Sequence, residues 1–475
     1  MEFSGDNNSG THVLLFPFPT SGHIIPLLDL ANHLINHSLK LTILVTPLVL
    51  PLIEPIQEIH PSDSIQTLVL SVPETPPGSN FATRVRATSK LYDPIIDWFH
   101  THPSPPVAII SDFFLGWTLQ LACRLGVRRI AFWPSGAFTC LVMSYTWSNV
   151  EEIFSKSDEN TLVTFNNIPN TPEYPRLQVC TLSSQYKKGD SDWEFLRDGL
   201  LDNVKSWGTL FNTCREIEGL YIDQVKKEMG HDRVWAVGPL LNVVGPCYSQ
   251  RGGLSAMPHD EVMTWLDDKV DDSVVYVCFG SRSILTRQQT AALATSLERS
   301  GVNFVWCLRI QKVMDDNEEE EDDPITKEYE NRIANRGLII KGWAPQLAIL
   351  KHRAVGIFLT HCGWNSILEG ISSKVLMLTW PMGADQFIGE ELLVNELKVG
   401  IKACEGGSQV ELTQILCDSI GGARSQKERM RKLHDGVAKA VQEGGSSSQD
   451  FHVFVKQLCQ LPSKKPSICN KGGPK

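Results

Sequence analysis

Short apolar runs alternate with helical patterns along the first half of the chain. Seven runs have the length of β-strands and lie at 12–19, 41–46, 67–72, 107–112, 129–134, 208–213 and 234–239. Between the first two runs, Ile24, Leu27 and Ala31 recur at the spacing of one helix face. Apolar strands separated by helices are typical of a parallel sheet covered on both faces. The pattern predicts an α/β fold with a doubly wound sheet.

The same alternation returns in the second half. Five strand-like runs lie at 274–281, 304–309, 337–343, 356–362 and 375–381. The stretch between the halves is rich in Gly, Pro and Ser and has no periodicity. We therefore predict two Rossmann-like domains at 1–242 and 255–445, joined by a linker at 243–254. An amphipathic last helix at 446–461 is expected to pack back on one of the domains, the first being the candidate, and 462–475 to form a disordered tail.

Composition and charge exclude several classes of protein. The 475 residues are 42% hydrophobic and 21% charged, which is typical of a folded globular protein. A net charge of −10 without a basic stripe argues against a nucleic-acid partner. The 12 cysteines are scattered, without C-x-x-C pairs or metal-ligand spacing, which predicts a reducing, cytoplasmic location and no metal site.

The pattern also bears on membrane-spanning helices, signal peptides and exposed loops. No apolar run approaches the ~20 residues of a membrane-spanning helix, and the polar start MEFSGDNNSGTH does not resemble a signal peptide. The acidic block at 315–323 repels itself and is expected to form an exposed loop.

Small or polar residues and one tryptophan follow four strands of the second half. They are Gly280 and Ser281, then Trp343, then His361 to Ser366 with Gly363 and Asn365, and finally Asp385 and Gln386. Each feature alone has a structural explanation as a turn, a helix cap or a core tryptophan. Ligands of doubly wound sheets bind beyond the carboxyl ends of strands, where helix starts offer N–H donors. A stacking ring, a phosphate cradle and hydroxyl binders together predict a nucleotide-sugar site.

The second half also carries a resemblance to a known family. The 44 residues WAPQLAILKHRAVGIFLTHCGWNSILEGISSKVLMLTWPMGADQ resemble the signature box of plant family-1 UDP-dependent glycosyltransferases. FPFPTSGHIIPLLDLA, VWAVGPL and VVYVCFGS are similar to that family too, so the likeness spans nearly the whole chain. HRAVGIFLTHCGWNSILEG and LKVGIKACEG resemble the subgroup that acts on flavonols and small phenolic acids. The resemblance implies a GT-B fold, with two Rossmann-like domains facing across a cleft and the acceptor bound by the first.

The resemblance implies a role for each residue of the box. Trp343 would stack on uracil and the backbone of Ala344 would bind it. The other implied contacts are Gln346 and Glu369 to ribose; Ser281, His361, Asn365 and Ser366 to the diphosphate, in the turn that contains Gly363; and Trp364, Asp385 and Gln386 to the sugar. The final Gln favours glucose, and rhamnose or xylose donors are the alternatives.

Three positions depart from the family pattern. Lys374 and Leu376 stand where the family usually has Gly and Pro, which affects the local backbone shape rather than a ligand contact. Arg282 is unusual after Ser281 and adds a positive charge beside the predicted phosphate cradle.

His23 and Asp112 are the candidate catalytic residues of the first half. His23 lies at the first strand-to-helix turn, and Asp112 ends the strand run at 107–112. A histidine with an unperturbed pKa near ~6.5 can act as a general base, and a carboxylate can fix its tautomer. Either residue alone has a structural explanation as a cap or loop residue. In the family that the chain resembles, the pair at these motifs is the catalytic dyad.

The acceptor pocket is less defined by the sequence. Aromatic residues of the first half are candidates to line it or to fill the core, and they are Phe18, Phe113, Trp117, Phe138 and Trp147. The resemblance implies a flavonoid or other small phenolic as acceptor, a UDP-sugar as co-substrate, no metal, and inversion at the anomeric carbon. We expect a monomer.

Two rival functions make different demands on the sequence. An NAD-dependent dehydrogenase or nucleotide-sugar epimerase would need G-x-G-x-x-G after the first strand, and PFPTSGHIIP lacks that spacing. A protein that binds nucleotide sugars or phenolics without turnover would typically lack the base, whereas His23 and Asp112 are both present. The sequence therefore favours an inverting glycosyltransferase.

Overall fold

The computed structural model describes residues 10–155, 158, 160–241, 251, 255–309, 325–403 and 409–462. The predicted linker, apart from Arg251, the acidic block at 315–323 and the predicted tail, apart from Pro462, lie outside the described residues. The chain forms two compact units. The first comprises Met1–Leu177, Leu182–Asn242 and Val441–Lys475, and the second comprises Gln178–Thr181 and Val243–Ala440.

The first unit is built on a seven-stranded parallel sheet. Its region of the chain contains the strands β1 His12–Phe16, β2 Lys40–Val45, β3 Ile65–Val69, β4 Ala108–Asp112, β5 Arg128–Trp133, β6 Leu162–Thr164, β7 Glu173–Pro175, β8 Gly208–Phe211 and β9 Val234–Ala236. The order across the sheet is β3-β2-β1-β4-β5-β8-β9, and β6 pairs with β7 in a separate antiparallel hairpin. The chain reverses direction across the sheet between β1 and β4, which is where ligands of such sheets bind.

Helices cover this sheet, and most residues of the central strands are buried as a result. The helices of the region are Ser21–Asn36, Glu54–Ile59, Phe81–Thr88, Tyr92–Thr101, Thr118–Leu125, Ala137–Ser148, Val150–Ser155, Arg176–Val179, Ser191–Asp202, Arg215–Met229 and Ser446–Cys459. Every residue of β1 and β4 is buried, as expected for strands with helices on both faces. Helix Ser21–Asn36 buries Ile24, Leu27 and Ala31, the face that the apolar spacing predicts.

The last helix packs against the far edge of the first sheet. Phe454 lies against Trp235 of β9, with ring centroids 5.0 Å apart. The Asp450 carboxylate accepts a 2.9 Å hydrogen bond from the backbone N–H of Ala236. Phe451 meets His37 edge-on at 4.9 Å. The helix therefore covers β9 and the end of helix Ser21–Asn36.

The second unit repeats the architecture with six parallel strands. They are β10 Val274–Cys278, β11 Asn303–Leu308, β12 Gly337–Lys341, β13 Val355–Thr360, β14 Leu376–Thr379 and β15 Gly400–Lys402, in the order β12-β11-β10-β13-β14-β15. The helices are His259–Asp267, Arg287–Ser300, Lys327–Ile333, Gln346–Lys351, Trp364–Ser372, Gln386–Glu391, Gln409–Gly421 and Arg424–Ala440. Val277, Phe304, Trp306 and Leu359 are among the buried side chains of its core. The prediction of two doubly wound α/β sheets is confirmed. Across the described residues, no helix is long and apolar enough to span a membrane.

Lys374 closes helix Trp364–Ser372 in a conformation that normally favours glycine. Its φ is +65°, in the left-handed region that side chains disfavour. The N–H of Val375 bonds to the carbonyl of Gly370 at 3.2 Å, and that of Lys374 to Ile371 at 3.1 Å, which is the Schellman pattern of helix ends. Lys374 therefore closes the helix in a conformation that glycine adopts without strain, and it carries the conformational cost.

Lys374→Gly is expected to stabilise the protein, because glycine adopts this φ freely. Relief of a left-handed side chain is worth about 1 kcal/mol, which should raise the thermal unfolding midpoint by about 2 °C in a unit of this size. The matched control is Lys432→Gly in helix Arg424–Ala440, where glycine should lower the midpoint. Differential scanning calorimetry measures both, and an unchanged or lower midpoint for Lys374→Gly would contradict the argument.

Candidate active site

The first unit brings His23 and Asp112 together at the carboxyl edge of its sheet. Asp112 is the last residue of β4, and His23 lies in the first turn of the helix that follows β1. His23 Nδ1 and Asp112 Oδ2 are 2.7 Å apart, with Asp112 fully buried and the His23 side chain 17% exposed. The other carboxylate oxygen accepts the N–H of Phe114 at 2.9 Å. The carboxylate therefore holds a proton on Nδ1 and leaves Nε2 as a basic nitrogen.

Aromatic rings surround the imidazole of His23. Ring centroids lie 5.8 Å away for Phe18, 5.7 Å for Phe113 and 5.1 Å for Phe114. Phe81 extends the cluster, with its ring 4.7 Å from Phe114. The sequence singled out Phe18 and Phe113 but missed Phe114 and Phe81. An apolar aromatic wall beside a basic nitrogen suits a flat acceptor that carries a hydroxyl group.

A buried arginine supports Asp112 from within the sheet. Arg129 of β5 donates from Nε to Ser111 Oγ at 3.0 Å and from Nη1 to Asn203 Oδ1 at 2.8 Å. Burial lowers the pKa of Arg129 to about 10, while the charge of Asp112 opposes that fall. The guanidinium is therefore charged at neutral pH, and its positive charge attracts the nearby Asp112 carboxylate. Nothing in the local sequence distinguishes Arg129 from a surface arginine.

Three of the predicted acceptor residues pack elsewhere in the first unit. Phe138 stacks on Tyr221 at 4.4 Å, and Trp147 stacks on Trp193 at 6.5 Å; both candidates are fully buried. Trp117 donates its indole N–H to Thr88 at 2.9 Å. Within the described ranges none of the three makes a ring contact with His23. All three are buried in the first unit, and their contact with the acceptor stays a prediction.

The second unit gathers its predicted residues at the carboxyl edge of its own sheet. Gly280 and Ser281 follow β10, Trp343 follows β12, His361 follows β13, and Asp385 lies in the turn after β14. Because β12, β10, β13 and β14 belong to one parallel sheet, these groups share one edge.

The His361 ring lies between two glycines. A Cβ added to Gly280 or to Gly363 would lie 2.5 Å from His361 Nε2, so a side chain at either position would displace the ring. The Nδ1 atom is buried, and no described residue bonds to it. Burial lowers the pKa of His361 to about 4. At neutral pH the ligand-free ring is therefore an uncharged N–H donor rather than a cation.

Helix Trp364–Ser372 starts next to this histidine. Its N-cap is Gly363, which has no side chain to accept from the first turn. The first turn of a helix presents N–H groups without intrahelical acceptors, and its dipole end is positive. Asn365 and Ser366 both lie in that turn, Ser366 buried and Asn365 half-buried. The arrangement suits an anion such as a diphosphate.

Backbone contacts fix the loop that carries Trp343. The N–H of Ala256 donates to the Trp343 carbonyl at 2.7 Å, and Gly342 is so close to Ala256 that an added Cβ would lie 2.7 Å from it. Trp343 is half-buried and Ala344 is buried. Pro345 is the N-cap of helix Gln346–Lys351.

A buried polar network joins Gln346 to Glu369. Gln346 Nε2 donates to Glu369 Oε2 at 2.6 Å and to Ser366 Oγ at 3.1 Å. Tyr276 of β10 donates to Gln346 Oε1 at 3.3 Å. Arg251 pairs with the other oxygen of Glu369. The sequence singled out Gln346, Ser366 and Glu369, but missed Tyr276, an ordinary strand residue, and Arg251, in a segment without a motif.

The turn after β14 carries the last predicted residues. Gln386 is buried, and its Oε1 accepts the N–H groups of Met382 at 2.7 Å and Gly383 at 3.0 Å. Asp385 is the N-cap of helix Gln386–Glu391. Trp364 is 7% exposed at the start of its helix. The Gln386 side chain therefore stabilises the turn at residues 382–383, in addition to any ligand contact.

Metal ligands are not clustered in the described part of the chain. No three His, Cys, Asp or Glu side chains in those ranges are arranged to hold an ion.

Comparisons with known proteins agree over the whole chain. The family described as UDP-glucoronosyl and UDP-glucosyl transferase matches residues 240–396, and the N-terminal domain of glycosyltransferases matches residues 183–242. The chain is 44% identical to flavonol 3-O-glucosyltransferase UGT89B1 of Arabidopsis thaliana, over 98% of this chain and 100% of that protein.

Solved structures share the fold. Arabidopsis thaliana UGT89C1 complexed with UDP-L-rhamnose matches with a TM-score of 0.76 and 31% identity, over 95% of this chain and 99% of that one. The same protein complexed with quercetin matches with a TM-score of 0.75 and 30% identity, over 95% and 100%. The predicted GT-B fold class is therefore confirmed. The chain is a UDP-glycosyltransferase and belongs to the plant family-1 UDP-dependent glycosyltransferases, the family that its signature box resembles.

Proposed function

We propose that the chain moves glucose from UDP-glucose to a hydroxyl of a flavonoid or other small phenolic, with inversion at the anomeric carbon. The observation that carries the proposal is the 2.7 Å hydrogen bond between His23 Nδ1 and Asp112 Oδ2. The relative with 44% identity is a flavonol 3-O-glucosyltransferase, which supports both the acceptor class and the sugar. Rhamnosyl or xylosyl transfer is the alternative, since a related structure holds UDP-L-rhamnose.

His23 acts as the general base in this proposal. Its Nε2 takes the proton of the acceptor hydroxyl, and the oxygen then attacks the anomeric carbon from the side opposite UDP. Asp112 keeps Nδ1 protonated and stabilises the imidazolium that forms. Phe18, Phe113 and Phe114 exclude water around the ring and offer apolar faces to the acceptor.

The second unit binds the donor and stabilises the departing UDP. Trp343 stacks on uracil, Ala344 binds it through backbone, and Gln346 with Glu369 binds the ribose. The diphosphate contacts are assigned to Ser281, His361, Asn365 and Ser366. Trp364, Asp385 and Gln386 are assigned to the sugar. The supporting observations are the shared sheet edge, the helix start at Gly363 and the polar network of Gln346.

Several general properties belong to the same proposal. The positive end of helix Trp364–Ser372 and the His361 N–H offset the charge on the leaving group, so we propose that transfer needs no divalent metal. One chain supplies both sets of residues, and we propose an active monomer. The cytoplasmic location that the scattered cysteines predict is part of the proposal as well.

The proposal is tested by incubating the protein with UDP-glucose and quercetin, with and without EDTA. We expect UDP release at equal rates in both, and a glucoside by mass spectrometry. A competition of UDP-glucose, UDP-rhamnose and UDP-xylose should yield mainly the glucoside. No UDP release with any member of a phenolic panel would contradict the enzyme proposal and leave a non-catalytic binding protein.

His23→Ala is expected to lower the transfer rate by about 10² to 10⁴-fold, the usual contribution of a general base. UDP affinity, measured by calorimetry, should stay within about threefold, because the base lies in the first unit. His100→Ala is the matched control, since His100 is exposed at the end of helix Tyr92–Thr101. A large loss of UDP affinity in His23→Ala would mean that His23 is not mainly a base.

Gly363→Ala tests the diphosphate contact of His361. The φ of Gly363 is −65°, so the backbone accepts alanine, but the methyl group displaces the His361 ring. We expect UDP affinity to fall by about tenfold, the value of one good hydrogen bond. The double variant should lose little more UDP affinity than His361→Ala alone, because both substitutions remove the same contact.

The control for this pair is Gly219→Ala, where the added methyl group would be 3.8 Å from its nearest neighbour. UDP binding by Gly363→Ala at the wild-type level would refute the assigned role of His361.

A further inference from the structure

The turn at residues 382–384 has three consecutive backbone N–H groups, and two side chains accept all of them. Gln386 Oε1 accepts from Met382 at 2.7 Å and from Gly383 at 3.0 Å. Thr181 Oγ1 accepts from Ala384 at 2.7 Å. The shape of the turn therefore depends on one local side chain and on one that is 203 positions away in sequence.

Ala384 needs this support because its backbone is in an unfavourable conformation. Its φ is +55°, and a non-glycine residue in the left-handed region persists only where its surroundings hold it. The bond from its N–H to Thr181 is a direct restraint. Thr181 also limits the neighbouring residue, since a Cβ added to Gly383 would lie 3.3 Å from Oγ1 and 3.7 Å from Cγ2.

Thr181 reaches the turn from an unexpected part of the chain. It ends the four-residue segment Gln178–Thr181, which belongs to the second unit, although the chain before and after it belongs to the first. The second unit therefore contains a contribution from the amino-terminal half at the turn that precedes Asp385 and Gln386.

The turn sets the orientation of Gln386. Its Oε1 is committed to the backbone of Met382 and Gly383, and within the described ranges its Nε2 has no hydrogen-bond partner. Nε2 is therefore the group of Gln386 that is available to a sugar hydroxyl. If the turn moves, Nε2 and the adjacent Asp385 carboxylate move with it.

We infer that Thr181 is a positioning residue that fixes the sugar-binding turn and so sets the affinity for the hexose part of the donor, without affecting UDP itself. This inference rests on the proposed assignment of Asp385 and Gln386 to the sugar. A threonine that merely stabilised the fold would affect UDP and UDP-glucose binding equally.

The test compares Thr181→Val, which keeps the shape and removes the acceptor oxygen, with Thr181→Ser, which keeps the oxygen. Calorimetry gives the Kd of each protein for UDP-glucose and for UDP. Loss of one hydrogen bond should weaken UDP-glucose binding by about tenfold in Thr181→Val, while the Kd for UDP changes by less than about twofold. Thr181→Ser should restore the wild-type ratio.

Thr295→Val is the matched control, since it removes a hydroxyl that bonds to the Ala291 carbonyl within helix Arg287–Ser300. Thermal unfolding midpoints check that each variant is folded. Equal losses for UDP and UDP-glucose, or no loss in Thr181→Val, would overturn the inference. The binding measurement needs no acceptor, so a wild-type protein that binds UDP-glucose without transferring it would sink the proposed activity and still decide the role of Thr181.

Discussion

A parallel sheet delivers the residue after every strand to the same edge, and this constraint organises both units. In the first sheet it brings the end of β4 beside the helix that follows β1, so that Asp112 and His23 meet. In the second sheet it gathers the residues that follow β10, β12, β13 and β14. Strand pairing thus makes neighbours of residues that are distant in sequence, as in the pairing of β1 with β4 and of β10 with β13. The chemistry then depends only on which side chains stand at these ends.

Close packing at the second edge decides which residues can stand there. The His361 ring fills the space beside Gly280 and Gly363, and a Cβ at either position would displace it. Dense packing has an electrostatic consequence, because the same desolvation lowers the pKa of His361 to about 4. At His361 the edge therefore offers a neutral N–H donor rather than a full charge. Neutral donors bind an anion without the strong hold of a salt bridge, which suits a group that must leave after each turnover.

Much of this fold was predictable because its signals are local. Each of the twelve strand-like runs corresponds to a strand of one of the two sheets, and the box residues lie at the predicted edge. β15 and the hairpin strands β6 and β7 were not predicted, since three residues are too few to show a period. Residue type alone does not separate a core from a pocket for Phe138 and Trp147, because both environments favour aromatic rings.

Three of the unpredicted residues share a physical cause. Arg129, Arg251 and Thr181 each act through a hydrogen bond or an ion pair to a residue far away in sequence. Such a contact leaves no periodicity and no motif around the residue that makes it. Such a contact exists only once the sheets have formed, which is why the sequence indicates residues that lie in motifs better than the residues that hold them in place.

The order of segments along the sequence differs from their assignment to the two units. Helix Ser446–Cys459 follows the second unit in sequence but packs against β9 of the first sheet. Conversely, the segment Gln178–Thr181 lies in the first half of the sequence but belongs to the second unit. A hybrid enzyme spliced once, near residue 242, would therefore pair the last helix of one parent with the sheet of another and leave Trp235 against a foreign surface. A splice that respects the architecture needs three junctions besides that one: before and after residues 178–181, and between residues 440 and 446. Recombination within the family is thus constrained by the positions at which the chain passes from one unit to the other, and not only by the boundary near residue 242.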